Sequence, residues 1–507
     1  MRQRITFIHG PGNAVDPSAL TITDTSITTP ELSAAREDRI TATLDELPAS
    51  LSRLLRAASA ELHVKWVSPV AYTSVSPLSS RMSPGLHVFV TPAKGADQKS
   101  LDSLVGTLKD VCGLQGLTEA TAIESHFTSL QPRSPSSPAI LQYYEPQDTP
   151  SAFASFLQTT ICHDDAACAS RADALKTAAS VDLFINPAAS AVKLTTQWPH
   201  GTQELSVAAT PGHRTEVGIL GLDPAAHKEE HELGVSGLLT VLGEHTKPQP
   251  VVFAVPARHR DAGTIFSAAF VEPTGLHPTL RLAVSSQRSP VADDKSCAIH
   301  AHFTLPKTIF ADRYQLSDDL FLASKNLTDL SYSSSPVDLE APAYATTAWG
   351  SSVLLRLAPP AASEKDAPWT AEVPLHLRYL EPNPEGYASV EVPYPAVFWA
   401  CEAPAGVRLE NNPFERASLG YDALFDPQTV FWHVEPRPAA GDRVMSSVRV
   451  PVLASGDSSW VRTGTAAAVL LGFGWVVGTL LRAYLKTGHG KTPATAKGKG
   501  KVEKKRQ

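Results

Sequence analysis

Near its carboxyl end the chain runs through nineteen consecutive residues, 463–481, without a charged side chain, and Arg462 and Arg482 bracket them. As a helix this segment would be about 28 Å long at 1.5 Å per residue, which is close to the hydrocarbon thickness of a bilayer. A buried core helix is the alternative, but each of the four glycines would cost such a helix about 1 kcal/mol relative to alanine. Residues 463–481 are therefore predicted to form one transmembrane helix.

Small residues share one side of this predicted helix. They are Gly464, Ala468, Gly472, Gly474 and Gly478. On a helical wheel with about 100° per residue they fall within an arc of about 160°, and bulky side chains such as Val469 and Leu480 cover the other side. Gly474 and Gly478 form a GxxxG pair, the spacing with which membrane helices approach each other closely. We expect a packing face for another membrane helix, with the alternative that small residues are simply common in spans.

The two flanks of the predicted span differ in charge. Residues 482–507 hold nine Lys and Arg and one acid, Glu503, whereas residues 1–481 hold 35 Lys and Arg and 50 Asp and Glu. Because the basic flank of a span stays in the cytosol, we expect a basic cytosolic tail, 482–507, and a body on the lumenal side. The net negative charge of the body argues against nucleic acid as a partner.

The amino terminus bears on how such a body would reach the lumen. The apolar run Ile5 to Ile8 is too short for the hydrophobic region of a secretory signal. The body is therefore expected to cross the membrane without a cleaved signal, which is type III topology. The alternative is a tail-anchored protein with a cytosolic body, and the basic charge of the tail argues against it.

The body divides near residue 250 by its sequence pattern. Before this point helical and strand patterns mix: "SLDSLVGTLKDVCG" predicts an amphipathic helix with Asp97 or Ser100 as its cap and Gly113 as its end, and "RITFIH", "LHVKWV", "LHVFVTP" and "VDLFINP" predict strands. We therefore expect an α+β amino-terminal domain, 1–250, and an all-β antiparallel sandwich, 251–455, in which short strands alternate between apolar and polar residues.

Two strands carry that alternation most clearly. In "CAIHAHFTLP" the pattern predicts that His300 and His302 lie on a solvent-exposed face, opposite a buried face that includes Phe303. In "AEVPLHLRYL" it predicts that Arg378 faces solvent and Tyr379 lies on the buried face. Each strand would therefore have one buried face and one solvent-exposed face.

One stretch of the sequence matches a catalytic motif. "HKEEH" fits the pattern H-x-x-E-H, in which His227 and His231 would bind zinc and Glu230 would act as general base. An exposed charged connector explains the same residues, because the surrounding sequence offers barely two helical turns and no third ligand. The sequence contains no G-x-S-x-G elbow, no G-x-x-x-x-G-K-[ST] loop and no C-x-x-C pair. We therefore expect no catalytic residues, no metal and no cofactor, and a metal-dependent hydrolase stays as an alternative.

Covalent features also bear on the compartment. The chain has five cysteines, of which Cys297 and Cys401 fall on predicted strands of the sandwich and are a candidate disulfide, with two buried free thiols as the alternative. Cys162 and Cys168 are close enough in sequence to pair locally. Asn326 begins the sequon "NLT" and is a candidate glycosylation site if this part of the chain is lumenal.

Two long phrases, "CAIHAHFTLPKTIFADRYQLSDDLFLASKNLTDL" and "PLHLRYLEPNPEGYASVEVPYPAVFWACE", resemble the PIG-X family, whose fungal members are called protease B nonderepressible proteins. The single carboxy-terminal span and the short basic tail resemble that family too, and "MRQRITFIHGPGNAVDPSAL" resembles its filamentous-fungal branch. The resemblance is most specific between Cys297 and about Glu402, and looser over the rest of the chain.

The resemblance implies a type III, single-pass protein of the endoplasmic reticulum membrane with a lumenal body. It further implies a noncatalytic subunit that stabilises the catalytic subunit of glycosylphosphatidylinositol (GPI) mannosyltransferase I, the enzyme that adds the first mannose to the GPI precursor. The fungal branch is also linked to the folding of other proteins in the endoplasmic reticulum. A general folding factor without a dedicated partner is the second alternative.

Overall fold

Strands are the main secondary structure of the body, and a few helices lie beside them. The computed structural model describes residues 1–10, 12–117, 123–130, 139–210, 212–226, 229, 232–291, 296–334, 337–360, 367–416 and 419–488. The chain forms two units: Met1–Leu380 with Ser389–Val450, and a smaller unit of Glu381–Ala388 with the chain from Pro451 onward.

The first half of the chain builds one mixed sheet of twelve strands, in the order β12-β11-β10-β1-β3-β9-β8-β4-β5-β7-β6, with β2 beside β3. The strands are β1 Arg2–His9, β2 Thr21–Ile22, β3 Ser26–Thr43, β4 Ser59–Val67, β5 Gly85–Pro92, β6 Thr128–Leu130, β7 Ile140–Glu145, β8 Ser180–Asn186, β9 Ala191–Ala208, β10 Arg214–Leu222, β11 Glu232–Val241 and β12 Gln249–Pro256.

The amino-terminal strand β1 lies inside this sheet. It pairs in parallel with β10 and antiparallel with β3, and Phe7 and Ile8 are buried. Its sequence "RITFIH" combines β-branched and aromatic residues, which favour a strand buried on both faces. Residues 2–9 are therefore part of the folded body.

Five α-helices in the described residues accompany the first sheet. They are α1 Ala49–Ala58, α2 Gln98–Cys112, α3 Ile123–His126, α4 Ser151–Phe156 and α5 Ala166–Ala174. The prediction for α2 is confirmed: the Asp97 side chain accepts a hydrogen bond from the Ser100 N–H, and Gly113 ends the helix with φ of 70°. This positive φ suits glycine, which has no Cβ to clash. Leu55 and Leu104 bury the helices against Val64 and Val88 of the sheet.

From His259 onward the chain builds a second sheet of eight strands, in the order β17-β18-β15-β22-β23-β13-β14-β19. Beside it are the pairs β16–β20 and β21–β24, and helix α6. The elements are β13 His259–Phe270, β14 Thr279–Val284, β15 Ala298–Pro306, β16 Ile309–Phe310, α6 Asp319–Ser324, β17 Leu327–Ser333, β18 Gly350–Leu357, β19 Trp369–Pro374, β20 His376–Leu377, β21 Tyr387–Pro393, β22 Ala396–Glu402, β23 Thr429–Pro436 and β24 Met445–Pro451.

The two edge strands of the second sheet come together beside α6. The Glu372 N–H of β19 donates to the Lys325 carbonyl at 3.0 Å, just before β17 begins. Pairing is antiparallel throughout except between β13 and β23, which are parallel. The sheet thus curls around one apolar core, to which Phe266, Phe303 and Trp399 contribute.

The outer face of the second sheet packs on the first sheet, and this contact overturns one expectation. Phe398 of β22 and Phe89 of β5 belong to one apolar cluster between the sheets. His300 and His302 lie on the same outer face of β15 and are only 7% and 1% exposed. The prediction that they face solvent is wrong, because polar residues at alternate positions also mark a face that is covered by a second layer.

The alternation in "AEVPLHLRYL" holds as far as Leu377, where β20 ends, and fails beyond it. The Arg378 N–H donates a backbone hydrogen bond to the Thr308 carbonyl, and the Arg378 side chain donates to the Ala341 carbonyl. As a result Arg378 is 6% exposed and Tyr379 is 66% exposed, the reverse of the prediction. A period of two holds only while the strand continues.

The last described element is α7, Ser458–Thr487, the longest of the helices in the described residues. It contains the whole uncharged segment 463–481. At 1.5 Å per residue its thirty residues span about 45 Å, which is longer than the hydrocarbon core of a bilayer.

Candidate functional site

Helix α7 is apolar and exposed along its length. The part Ser458–Lys486 has a mean hydropathy of 1.8 over its most apolar stretch and is 0% buried within the described chain, the only such helix in the part of the chain that the structure describes. Side chains such as Leu471, Phe473 and Trp475 are 67–75% exposed. Apolar surface of this kind is stable in lipid, not in water. The helix therefore supports a single-pass membrane protein.

The small residues of α7 leave room for a neighbouring backbone. A Cβ placed on Gly464, Gly472, Gly474 or Gly478 would meet open space within 4 Å. Ala468 belongs to the same side of the helix and is exposed. These five positions form a shallow face of α7. Another helix could approach this face closely, with the side chains of that second helix against the glycine Cα atoms.

The candidate disulfide and the candidate glycosylation site lie in different parts of the second sheet. Cys297, next to β15, is joined to Cys401 of β22, with Cα atoms 4.2 Å apart. Asn326 precedes β17, and its Nδ2 donates a hydrogen bond to the Thr370 carbonyl at 2.8 Å. Thr328 of the sequon is exposed, so an enzyme could reach the site by releasing that one bond.

The other cysteines lie in the first half of the chain. Cys162 is joined to Cys168, with Cα atoms 5.3 Å apart. Cys112 of α2 is free and buried, and burial raises the pKa of its thiol to about 12. A thiol that stays protonated is a poor nucleophile, so Cys112 is a packing residue.

Between the two sheets lies a layer of buried charges that the sequence did not reveal. Glu37 of β3 is completely buried and forms ion pairs with Arg416, with Arg39 at 3.3 Å and with Arg4 at 3.6 Å. Burial acts to raise the pKa of Glu37, but the three positive charges outweigh it and leave that pKa lowered. Arg416 belongs to the long connection between β22 and β23, so this cluster ties the connection to the first sheet.

A second buried cluster lies nearby on β4 and β8. The Asp182 carboxylate is 2.8 Å from His63 Nε2 and 3.5 Å from Lys65 Nζ. Burial acts to raise the pKa of Asp182, but the charges of His63 and Lys65 lower it well below its usual range. Charged groups in such a layer are stable only while every partner is in place, so the layer fixes how the sheets pack.

Histidines fill the rest of the layer. His259 Nδ1 lies 3.0 Å from His433 Nε2, and His259 Nε2 lies 2.9 Å from the Arg416 carbonyl. His302 has no hydrogen-bond partner on either ring nitrogen among the described residues. Burial lowers the pKa of His259 to about 3 and that of His302 to about 4, so both rings are neutral at pH 7. The layer therefore contains uncharged imidazoles beside its ion pairs.

The predicted zinc residues His227, Glu230 and His231 lie outside the described residues. Within the described ranges, no group of three or more His, Cys, Asp or Glu side chains is arranged to hold a metal ion.

Comparison with known proteins connects helix α7 and the body to a family. The profile of the family described as PIG-X / PBN1 matches residues 273–481, which include most of the second sheet and the apolar segment of α7. "Protein pbn1" of Neurospora crassa is 50% identical and covers 98% of this chain and 98% of its own length.

Other fungal proteins align over almost the same span. "Protein PBN1" of Gibberella zeae is 45% identical over 96% of this chain and 97% of its own, and "Protein pbn1" of Emericella nidulans is 37% identical over 94% and 95%. A solved structure titled "BspA_C_mut" is 8% identical, covers 89% of this chain and 99% of its own, and has a TM-score of 0.13, so it carries no argument about the fold. The near-complete alignments show that this chain belongs to the PIG-X / PBN1 family.

Proposed function

We propose that this protein is a noncatalytic, stabilising subunit of GPI mannosyltransferase I, needed for addition of the first mannose to the GPI-anchor precursor in the endoplasmic reticulum. The observation that carries the proposal is membership of the PIG-X / PBN1 family, with 50% identity to a relative over 98% of both chains. A chaperone-like role toward other proteins of the endoplasmic reticulum is part of the same proposal.

The proposal includes a topology and a domain organisation. Residues 463–481 cross the endoplasmic reticulum membrane once, residues 1–455 lie in the lumen, and the basic tail 482–507 is cytosolic. The α+β domain, 1–250, and the β-sandwich domain, 251–455, are the two parts of the lumenal body. The charge difference between the flanks of the span supports this orientation. The bonded pairs Cys162–Cys168 and Cys297–Cys401 fit an oxidising compartment, and a lumenal Asn326 would be available for glycan.

The mechanism has two contacts. The small face of α7, from Gly464 to Gly478, packs against helices of the catalytic subunit, and the lumenal body covers its loops. A protein that binds the folded form of a partner but not the unfolded form stabilises it by mass action. At a concentration of one hundred times the dissociation constant, the stabilisation is about 2.7 kcal/mol. This amount matters for a marginally stable membrane protein.

Two other functions compete with this one. A general folding factor would bind many unrelated clients through the same lumenal body. A lumenal metal-dependent hydrolase would use His227, Glu230 and His231, would contain zinc, and would lose activity in Glu230→Gln.

Purification of the tagged full-length protein in mild detergent, followed by mass spectrometry, separates these functions. We expect one multispanning mannosyltransferase subunit to be recovered in near-stoichiometric amount. Recovery of many unrelated clients at similar low levels would favour the general folding factor and contradict the dedicated subunit. Bound zinc in the same preparation would favour the hydrolase.

A further inference from the structure

A cleft of about 560 Å³ opens in the larger unit where the turn after β15 faces the segment that leads into β18. Phe127, Ile309 and Phe310 supply an apolar floor, and all three are nearly buried. The volume falls within the range of about 300–1,000 Å³ that is typical of sites for small ligands. The cleft can therefore take a few residues of an extended chain, but not a folded domain.

Arg378 gives this cleft an incompletely satisfied positive charge. Its side chain is 6% exposed, and its guanidinium carbon lies 4.5 Å from the centre of the Phe310 ring. Nη1 donates to the Ala341 carbonyl at 2.8 Å, whereas Nε has no hydrogen-bond partner in the described residues. Burial lowers the pKa of Arg378, and the charge of Asp338 acts in the opposite direction. This Nε is itself shielded from solvent, so the cleft meets the positive charge of the guanidinium and not that N–H.

Lys307 adds a second cation. It lies in the turn between β15 and β16, lines the same cleft and is exposed. Two cations beside an apolar floor select a ligand that has an anionic group next to an apolar one. Asp338 also lines the cleft, and its carboxylate accepts hydrogen bonds from the Glu340 and Ala341 N–H groups at 2.8 and 2.9 Å. Asp338 offsets part of the positive charge of the two cations, which leaves the cleft with a small net positive charge.

We propose that this cleft binds a short extended peptide segment, in which one Asp or Glu carboxylate meets Arg378 and Lys307 and an adjacent apolar side chain rests on Phe310. Thr346 and Thr347 also line the cleft, and the Thr346 hydroxyl already donates a hydrogen bond to the Pro342 carbonyl at 3.1 Å, so it could only accept one from the peptide backbone. This inference goes beyond the proposed role in GPI-anchor assembly, because the peptide segment that binds could come from any protein with this chemistry.

The test uses the full-length protein in detergent and two fluorescently labelled, terminally blocked peptides, Ala-Leu-Glu-Leu-Ala and Ala-Leu-Gln-Leu-Ala, with binding followed by polarisation. We expect the Glu peptide to bind at least about tenfold more tightly than the Gln peptide, since a charge-assisted contact is lost in the latter. Lys307→Glu should weaken binding of the Glu peptide by about tenfold or more. Lys307 is exposed, so the variant should keep the thermal midpoint of the parent protein.

Lys247→Glu is the matched control, because Lys247 is exposed before β12 and the change in net charge is identical. It should bind the Glu peptide as the parent protein does. The proposal is overturned if neither peptide binds, if both bind equally, or if the two lysine variants weaken binding equally. Displacement of the Glu peptide by inorganic phosphate at a lower concentration than by acetate would also overturn it in favour of a phosphate site.

Discussion

The histidines between the two sheets should make the fold sensitive to mild acid. Burial lowers the pKa of His87 and His259 to about 3, and that of His300 and His302 to about 4, from a usual value of 6.5. In the unfolded chain these rings take up protons below pH 6.5, whereas in the folded protein they do not until pH 3 to 4. The unfolded state therefore binds more protons in this window, and stability falls as the pH falls.

At pH 5 the loss is about 2 kcal/mol for each such histidine. Glu415 opposes the trend, because burial raises its pKa to about 7 despite the nearby Arg258, so its protonation stabilises the fold as the pH falls from 7 towards 4.5. Asp38 opposes it too, because burial raises its pKa, but the buried histidines, to which His433 adds, outnumber these two carboxyl groups. We predict that the urea midpoint of the full-length protein, followed by tryptophan fluorescence, decreases markedly between pH 7 and pH 5.

The same prediction can be tested by one substitution, at His302. Neither of its ring nitrogens has a hydrogen-bond partner in the described part of the chain, so replacing the ring removes no hydrogen bond there. His302→Leu keeps a similar volume and should reduce the loss of stability between pH 7 and pH 5 by about 2 kcal/mol. His200 is exposed, so His200→Leu should leave the loss as it is in the parent protein. Equal pH dependence in all three proteins would mean that buried histidines do not control acid stability.

At the scale of elements, α7 should act through its small face. Gly474→Leu and Gly478→Leu each place a bulky side chain where a Cβ now meets open space. If a partner helix occupies that space, the change forces the two helices apart, and a loss of about 1.4 kcal/mol would weaken association tenfold. We predict a lower steady-state level of the mannosyltransferase catalytic subunit in cells that carry either variant, measured by quantitative immunoblotting.

Ala466→Leu is the matched control, because it also replaces a small residue by leucine but lies on the opposite side of α7. It should leave the level of the catalytic subunit unchanged. If all three variants behave like the parent protein, the interface with the partner lies outside α7. If all three reduce the level equally, the effect comes from insertion of the helix, not from its face.

Elements that depend on nearby residues could be predicted from the sequence, and those that depend on distant ones could not. Helix α2 has its cap at Asp97 and its end at Gly113 within sixteen residues of each other, so the local pattern sufficed. Strands β3 and β9 each have eighteen residues, polar side chains and irregular pairing, and they are strands because they pair with each other along their length. No local period marks such strands.

At the scale of the whole molecule, the limit of prediction was the contact between the two sheets. Glu37 and Arg416 are 379 residues apart and form one buried ion pair. Neither residue is unusual in its own segment, and each resembles a surface charge. The burial of His300 and His302 on β15 has the same cause, because one sheet covers the other and only the folded chain reveals which residues meet. The apolar segment of α7 does not depend on such a contact, so it could be predicted from the sequence alone.

The proposed role depends on the side of the membrane on which residues 1–455 lie. Only a lumenal body could cover lumenal loops of the catalytic subunit, carry glycan on Asn326 and keep the bond between Cys297 and Cys401. The most direct measurement adds protease to sealed microsomes that contain the full-length protein with a tag at each end. We expect the body to be protected and only the carboxy-terminal tag to be removed, until detergent opens the vesicles. Digestion of the body in intact vesicles, with protection of the carboxy-terminal tag, would contradict it.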